Sequence, residues 1–338
     1  MKKITLFTTT LFLFLSFNLN AQLLQSIDLE GLVIGDVGTD INGVTPGQDG
    51  LFTLTNSGGN SDFQIVSIGG VIGQALQITG SDSPTGSKFV WKDGLGTAWA
   101  SRTTGNDYIQ VEYNFYTGSA TTSKNVEDVL LYNSDYSILI AGLRFIPETK
   151  EILGLAYFDN AGTLDTFLFN LAASPVVLTA DTWYRVGFAF NPTNGEVIWR
   201  GVDFYSGVMG AATGVDPFEV DLSVLPGTGN AVSSTSYFDN IRVKAEATEN
   251  LLLSIEDNQI SKSIALFPNP ANDDINLTIP TDVNVTKIEV TDISGRTIKT
   301  IGEKNINSPI NVSDLSSGLY LLNIYSPIGK ATKRFMKN

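Results

Sequence analysis

The amino-acid sequence predicts an all-β protein that consists of a large β-sandwich followed by a small one. Short stretches in which apolar and polar residues alternate recur along the chain, and none sustains the apolar stripe of a helix over three turns. Glycine makes up 32 of the 338 residues, and Ser, Thr and Asn are frequent between the apolar stretches. This composition is typical of strands that are joined by many turns. The chain is long enough for two domains, each with its own core.

The composition excludes several kinds of catalytic and metal site. The chain contains no His and no Cys. Triads built on His, a histidine general base and a thiolate nucleophile are therefore excluded. Zinc sites with imidazole or thiolate ligands and disulfide bonds are excluded for the same reason. A cation held by oxygen ligands, such as calcium, remains compatible with the composition.

Residues 1–21 have the pattern of a secretory signal peptide. Lys2 and Lys3 precede an apolar stretch at 6–17, and Ala21 ends an approximate cleavage site. The apolar stretch is shorter than the roughly 20 residues of a membrane-spanning helix, and no later stretch is long enough. The sequence therefore predicts export through the Sec pathway and no transmembrane segment.

Residues 22–244, which we call the passenger, are predicted to form a single β-sandwich. Apolar and polar side chains alternate from Ile109 to Phe115, as a half-buried strand requires. Two further strands are predicted at 182–190 and 196–200, and Asn194-Gly195 between them has the composition of a hairpin turn. Ten or more such strands favour a jelly-roll sandwich.

A small Ig-like β-sandwich is predicted at 264–338, after a polar linker at 245–263. Pro268-Asn269-Pro270 cannot lie in a helix and predicts an extended or turning entry. Alternation at 287–291 and the apolar stretch 319–325 predict two of its strands.

The order of motifs in this small domain resembles the type A C-terminal sorting domain of proteins that the type IX secretion system of Bacteroidota exports. The matching motifs are Phe-Pro-Asn-Pro at 267–270, Asp-Ile-Ser-Gly-Arg at 292–296, Leu-Ser-Ser-Gly-Leu-Tyr at 315–320 and a Lys- and Arg-rich terminal strand. The resemblance implies that residues 264–338 bind the type IX secretion machinery and that the chain crosses the outer membrane. It also implies that the domain is then removed, with release of the protein or attachment to the cell surface.

Most of the negative charge of the chain lies in the passenger. It carries ten Lys and Arg residues against 24 Asp and Glu residues. This acidity argues against nucleic acid and anionic membranes as partners. It is compatible with neutral extracellular glycans and with cations, and equally with a charge that only keeps an exported protein soluble.

Three short motifs of the passenger resemble laminin-G-like and concanavalin-like sandwiches. They are Asp28–Gly31, Asp181–Phe188 and Tyr237–Val243. In such sandwiches the first and last strands lie close together. The resemblance therefore implies that Glu30 and Asp239 could hold a structural calcium ion, since calcium prefers oxygen ligands. Without an ion, Asp239 would cap a turn or pair with Arg242 or Lys244.

Tryptophan side chains are the candidate ligand-binding residues. Sugar rings stack on exposed aromatic rings, and Trp91 and Trp99 lie in a glycine-rich segment that has few strand signals. Trp199 is a third candidate, whereas the alternation around Trp183 predicts a core position. Burial in the core is the alternative for each candidate, since Trp is highly buried on average.

Three functions of the passenger remain open at this stage. The first is non-catalytic, lectin-like binding of carbohydrate, and the second is a polysaccharide lyase or glycoside hydrolase on the same scaffold. A purely adhesive role is the third. No catalytic residue is predicted, because the adjacent acids Glu127 and Asp128 would point to opposite faces of a strand. A groove lined by aromatic and carboxylate side chains would favour the first two functions.

Overall fold

A computed structural model of the protein describes residues 21–252, 259–281, 283–302, 306 and 308–338. The predicted signal peptide lies outside these residues except for Ala21. In the part of the chain that is described, no helix is long and apolar enough to cross a membrane.

The passenger consists mainly of short strands. In chain order they are β1 (Gln22–Ile27), β2 (Gly35–Asp36), β3 (Leu51–Thr55), β4 (Phe63–Gly69), β5 (Gly73–Thr79), β6 (Lys88–Lys92), β7 (Tyr108–Tyr116), β8 (Asn125–Tyr132), β9 (Leu139–Ile146), β10 (Glu151–Asn160), β11 (Thr163–Asn170), β12 (Val176–Val177), β13 (Trp183–Asn191), β14 (Glu196–Arg200), β15 (Tyr205–Met209), β16 (Glu219–Pro226) and β17 (Thr235–Glu246). A short helix, α1 (Leu95–Ala100), follows β6, and single 3-10 turns lie at Gln48–Gly50 and Asn60–Asp62.

Among the described residues, these strands form two antiparallel sheets that pack face to face. The nine-stranded sheet has the order β15-β14-β13-β7-β17-β5-β4-β2, with β1 beside the second half of β17. The eight-stranded sheet has the order β11-β10-β9-β8-β16-β6-β3, with β12 beside β10. Side chains from both sheets, such as Phe115 and Leu222, form one continuous core. The predicted all-β sandwich is thereby confirmed.

The hairpin of β13 and β14 forms where the sequence predicts it. Gly195 has a φ of +76°, a conformation that glycine adopts without strain. The Asn194 side chain accepts a hydrogen bond from the Glu196 N–H at 3.0 Å and so fixes the turn. Along β13, however, Tyr184 takes the inward position and Trp183 lies half-buried on the outer face. The prediction that Trp183 lies in the core is therefore wrong, and its neighbour Tyr184 takes that position.

Part of the predicted linker packs on the passenger. The strand β17 continues to Glu246, and residues 248–252, which we call the strap, lie on the outer face of the nine-stranded sheet. Leu251 is fully buried there, and the Leu252 N–H donates to Glu112 Oε1 at 2.8 Å. The folded passenger therefore continues to residue 252, beyond the predicted boundary at 244. The reason is that Leu251 of the strap packs against apolar side chains of the sheet.

The C-terminal domain has its own core between two small sheets. Its elements are α2 (Gln259–Ser263), β18 (Ala265–Phe267), β19 (Asp274–Thr278), β20 (Lys287–Asp292), β21 (Thr297–Gly302), β22 (Ile310–Asn311), β23 (Gly318–Ser326) and β24 (Gly329–Lys337). In the described residues the sheet orders are β18-β19-β22 and β21-β20-β23-β24. Ile288, Leu322 and Phe335 are fully buried in the core.

The Asp-Ile-Ser-Gly-Arg motif forms the tight turn between β20 and β21. The Asp292 carboxylate accepts hydrogen bonds from the N–H groups of Ser294 and Arg296 and from Arg296 Nε, at 3.0–3.1 Å. The Ser294 hydroxyl and these donors lower the pKa of Asp292 to about 2. Each polar residue of the motif therefore has a structural role in this turn.

Candidate functional site

The three candidate tryptophans lie in different environments. Trp199 is a core residue: it has no exposed surface, and its Nε1 donates to the Gly142 carbonyl at 2.8 Å. Its ring stacks on Phe169 with the ring centroids 5.5 Å apart. An indole buried in this way has no face open to a sugar ring. Trp199 is therefore a core residue and not a ligand-binding one. Its side chain, like that of Val197 two residues earlier on β14, points into the sandwich.

Trp91 lies on a strand and not in a loop, and its side chain is partly exposed. It occupies the outer face of the eight-stranded sheet, opposite Phe52 on one side and Asp221 on the other. The rings of Trp91 and Phe52 are stacked, with centroids 5.4 Å apart and planes 11° from parallel. Trp91 Nε1 donates to Asp93 Oδ1 at 3.1 Å, which fixes the orientation of the indole.

Two carboxyl groups share this face with the stacked rings. Glu219 and Asp221 are two positions apart on β16, so their side chains point the same way. Burial, with the charge of Glu219 adding to it, raises the pKa of Asp221 well above its usual range. Burial also raises the pKa of Glu219. Both burial and a neighbouring carboxylate disfavour the ionised form of a carboxyl group, which accounts for the direction of the shift at Asp221.

Three aromatic rings form a wall beside Glu219. Tyr132 lies opposite Glu219 on β8, and its ring centroid is 6.1 Å from that of Tyr136. The Tyr136 hydroxyl donates to Glu219 Oε2 at 3.2 Å, and Phe218 contacts Tyr136 edge to face at 6.2 Å. Tyr136 and Phe218 are exposed. We call this assembly the acidic aromatic site; its members are Phe52, Trp91, Tyr132, Tyr136, Phe218, Glu219 and Asp221.

A groove of about 580 Å³ adjoins the wall at Phe218. It lies between α1, Asn133-Ser134 and residues 215–218. Trp99 lines it but is only 1% exposed, because it packs in the core of the sandwich. The Arg102 guanidinium lies 3.8 Å above its ring centroid. Trp99 Nε1 donates to Asp216 Oδ1 at 3.0 Å. Trp99 therefore supports the groove and orients Asp216, and it offers no free ring face to a ligand.

The cations of the neighbouring strands are already paired with acids. Arg144 Nε and Nη2 donate to the buried Asp128 at 2.8 and 2.7 Å, and two further pairs at 2.9 Å are Lys92 with Asp49 and Arg102 with Asp107. The charge that remains at the site is thus acidic. Asp128 lies on the outer face beside Arg144, and Glu127 points into the sandwich, as their adjacency predicts.

The predicted calcium ligands lie near each other at the meeting of β1 and β17. Asp239 is buried, and its Oδ2 has no hydrogen-bond partner among the described residues. Burial, with the charges of Glu30 and Asp28 adding to it, raises the pKa of Asp239 to about 7. Glu30 Oε1 accepts the Gln74 N–H at 2.8 Å. In the described part of the chain, no three acidic side chains are placed to hold a metal ion together.

These acidic and aromatic groups would have been difficult to nominate from the sequence. Glu219, Asp221 and Ser223 alternate with Val220, Leu222 and Val224, which is the signal of a strand with one polar face. That alternation does not reveal that Trp91 occupies the neighbouring strand in register with Asp221.

Residues 265–338 match the family described as "Secretion system C-terminal sorting domain". The prediction of a type IX sorting domain is confirmed. The domain implies export to the cell surface or the extracellular space, and an interaction with the secretion machinery. No curated protein matches the chain.

Solved structures with some similarity are β-rich binding domains and an enzyme. The binding domain of botulinum neurotoxin DC in complex with rat synaptotagmin II is 8% identical with a TM-score of 0.38, over 88% of this chain and 72% of that chain. A botulinum neurotoxin type C structure, from work on cell entry through two ganglioside molecules, is 8% identical with a TM-score of 0.41, over 86% and 70%. A sialidase is 9% identical with a TM-score of 0.34, over 60% and 18%. Scores this low carry no argument about a ligand or an activity.

Proposed function

We propose that this protein, whose residues 265–338 are a type IX sorting domain, acts outside the cell as a non-catalytic carbohydrate-binding protein. The acidic aromatic site and its groove would hold the sugar. An adhesive role at the cell surface would follow from the same binding.

One observation carries this proposal: the stacked Trp91 and Phe52 rings lie in register with Asp221 on a single sheet face. Aromatic faces stack on the C–H faces of sugars, and carboxyl oxygens accept hydrogen bonds from sugar hydroxyls. The adjoining groove of about 580 Å³ is within the usual range for a small-ligand site.

The charge of the site supports neutral sugars as the ligand class. Glu219, Asp221 and Asp93 lie together, while Arg144 and Lys92 are already paired with acids. A sugar that carries a carboxylate would be repelled, and it would find no free cation here to bind it.

A hydrolase is the second candidate, and the carboxyl pair is the observation that favours it. Hydrolysis of a glycosidic bond needs two carboxyl groups on opposite sides of the bond, about 5–9.5 Å apart. Glu219 and Asp221 instead lie two positions apart on one strand and point to the same face of the sheet. The next outward position of β16 holds Ser223 and no further acid. These features favour binding over catalysis.

A calcium ion beside Asp239 is a further part of the proposal. The unpartnered Asp239 Oδ2 suits a cation that prefers oxygen ligands, and Glu30 would be a second ligand. Such an ion would stabilise the junction of β1 and β17.

A glycan array with the exported chain, which lacks residues 1–21, tests the proposed function. We expect binding to neutral glycans and not to uronic or sialic acids. Trp91→Ala and Glu219→Gln should each lower the affinity about tenfold, whereas the control Tyr205→Ala, an exposed aromatic on β15, should not. New reducing ends or unsaturated products would favour the enzyme instead. Binding that neither site variant weakens would refute the assignment.

A further inference from the structure

A second set of aromatic and amide side chains lies on the outer face of the nine-stranded sheet. Five of them lie in register on five adjacent strands: Trp183 of β13, Tyr116 of β7, Tyr237 of β17, Gln77 of β5 and Gln64 of β4. All five are half-buried. Since neighbouring strands are about 4.8 Å apart, this cross-strand row is about 19 Å long.

The rings of the cross-strand row form a continuous surface. Tyr116 lies between the other two rings, with its centroid 5.5 Å from that of Trp183 and 6.0 Å from that of Tyr237. The Tyr116 hydroxyl donates to Asp181 Oδ1 at 3.2 Å, which holds the central ring in place. A surface that is ordered before a ligand arrives loses less entropy on binding.

Three polar groups of the row are not used within the protein. The Trp183 indole N–H, the Tyr237 hydroxyl and the Gln77 amide make no hydrogen bond in the described part of the chain. The Gln64 amide, in contrast, donates to Asp36 and to the Asn60 carbonyl. The middle of the row and its Trp183 end therefore offer both donors and acceptors next to aromatic faces.

The charges around the row favour a neutral ligand. Arg185 follows Trp183 by two residues on β13 and is buried, and it is paired with Glu112 at 2.7 Å. The exposed acid Asp181 lies near one end of the row, and Asp36 lies at the other. An anionic chain would meet these acids and would find Arg185 already neutralised.

We infer that the cross-strand row is a second carbohydrate-binding site, which takes an extended neutral oligosaccharide that lies across the strands. Beyond Trp183, a cavity of about 420 Å³ lies between Asp181–Trp183 and residues 281–284 and 327–328 of the sorting domain. This site is separate from the acidic aromatic site, because the two occupy outer faces of different sheets.

Titration calorimetry with neutral hexasaccharides tests this inference. The probes are xylo-, cello-, manno- and laminari-hexaose, and the protein is the exported chain with the background change Trp91→Ala. Because this background change weakens the first site, remaining binding that Trp183→Ala or Tyr237→Ala lowers further reports on the row. We expect at least one probe to bind, and Trp183→Ala and Tyr237→Ala each to lower its affinity about tenfold. Trp183→Phe, which keeps a ring, should change the affinity less than threefold.

The controls separate loss of binding from loss of folding. Gln77→Ala removes one unused amide on the surface of the row and should weaken binding severalfold in a protein that unfolds at an unchanged temperature. Absence of binding by all four probes in the Trp91→Ala background would overturn the inference, and so would binding that Trp183→Ala, Tyr237→Ala and Gln77→Ala leave unchanged. Neither result would refute the first site, because the array with the unaltered chain tests it independently.

Discussion

Glu219 and Asp221 lie two positions apart on β16, so both carboxyl groups point to the face that carries the Trp91 and Phe52 stack. Burial, with the charge of Glu219 adding to it, raises the pKa of Asp221 to about 8. This relationship determines what the acidic aromatic site can do. A protonated pair can both donate to and accept from sugar hydroxyls, whereas two free carboxylates could only accept. Two acids on the same face of one strand do not oppose each other across a cleft, which hydrolysis would require.

The pH dependence of stability is expected to reflect a buried acid in the core. Glu127 points between the sheets, and burial raises its pKa to about 8. An acid whose pKa is raised by folding destabilises the folded state progressively as the pH rises from its unfolded pKa to its folded one. Glu127→Gln should therefore raise the free energy of unfolding by roughly 1–4 kcal/mol at pH 8 and by much less at pH 5. Urea unfolding at both pH values measures the difference, and an equal effect at both would contradict this account.

The strap is expected to contribute to the stability of the passenger. Leu251 is fully buried against the nine-stranded sheet. Leu251→Ala should lower the free energy of unfolding by about 2–4 kcal/mol, because it leaves a cavity. The control Leu164→Ala, at a site that is 57% exposed, should change it by less than about 0.5 kcal/mol. Equal effects of the two changes in chemical denaturation would show that the strap is not packed.

The buried ion pair beneath the cross-strand row is expected to be costly to break. Arg185 and Glu112 have side chains that are 10% and 3% exposed. Arg185→Ala would leave a buried carboxylate without its partner and should cost about 3–5 kcal/mol. Arg200→Ala, which removes a looser pair at 3.8 Å, should cost less than about 1 kcal/mol. The order of the two thermal midpoints checks this prediction, and the reverse order would refute it.

Calcium is expected to stabilise the protein through Asp239. A ligand that binds only the folded state raises the unfolding midpoint as its concentration increases. Millimolar calcium should therefore raise the midpoint above that in chelator, and Asp239→Asn should abolish the difference. Identical midpoints of the unaltered chain in calcium and in chelator would exclude a calcium site there.

The sequence was sufficient to predict the sorting domain and several strands of the passenger, since these depend on local patterns, but it missed β6, which carries Trp91. The alternation at 109–115 and the Asn194-Gly195 turn each specify their structure within a few residues. The Asp292 turn is similarly local, because all of its hydrogen bonds are made within the motif.

The positions of the aromatic side chains could not be predicted in the same way. A shift of one residue in the alternation moves a side chain from the core to the surface, as the contrast between Trp199 and Trp183 shows. The neighbours of Trp91 depend on strand order, because β6 and β16 are far apart in sequence. The burial of Leu251 likewise depends on a contact with distant strands.

Hydrogen–deuterium exchange with a bound neutral glycan tests the central claim most directly. The exported chain is compared with and without the glycan that binds best on the array. We expect slower exchange in β6, in β16 and in the 133–137 turn, which carry Trp91, the two acids and Tyr136. Loss of that protection in Trp91→Ala would further support the acidic aromatic site as the place where the glycan binds. Protection confined to other segments, or none with a saturating glycan, would contradict the assignment of this site.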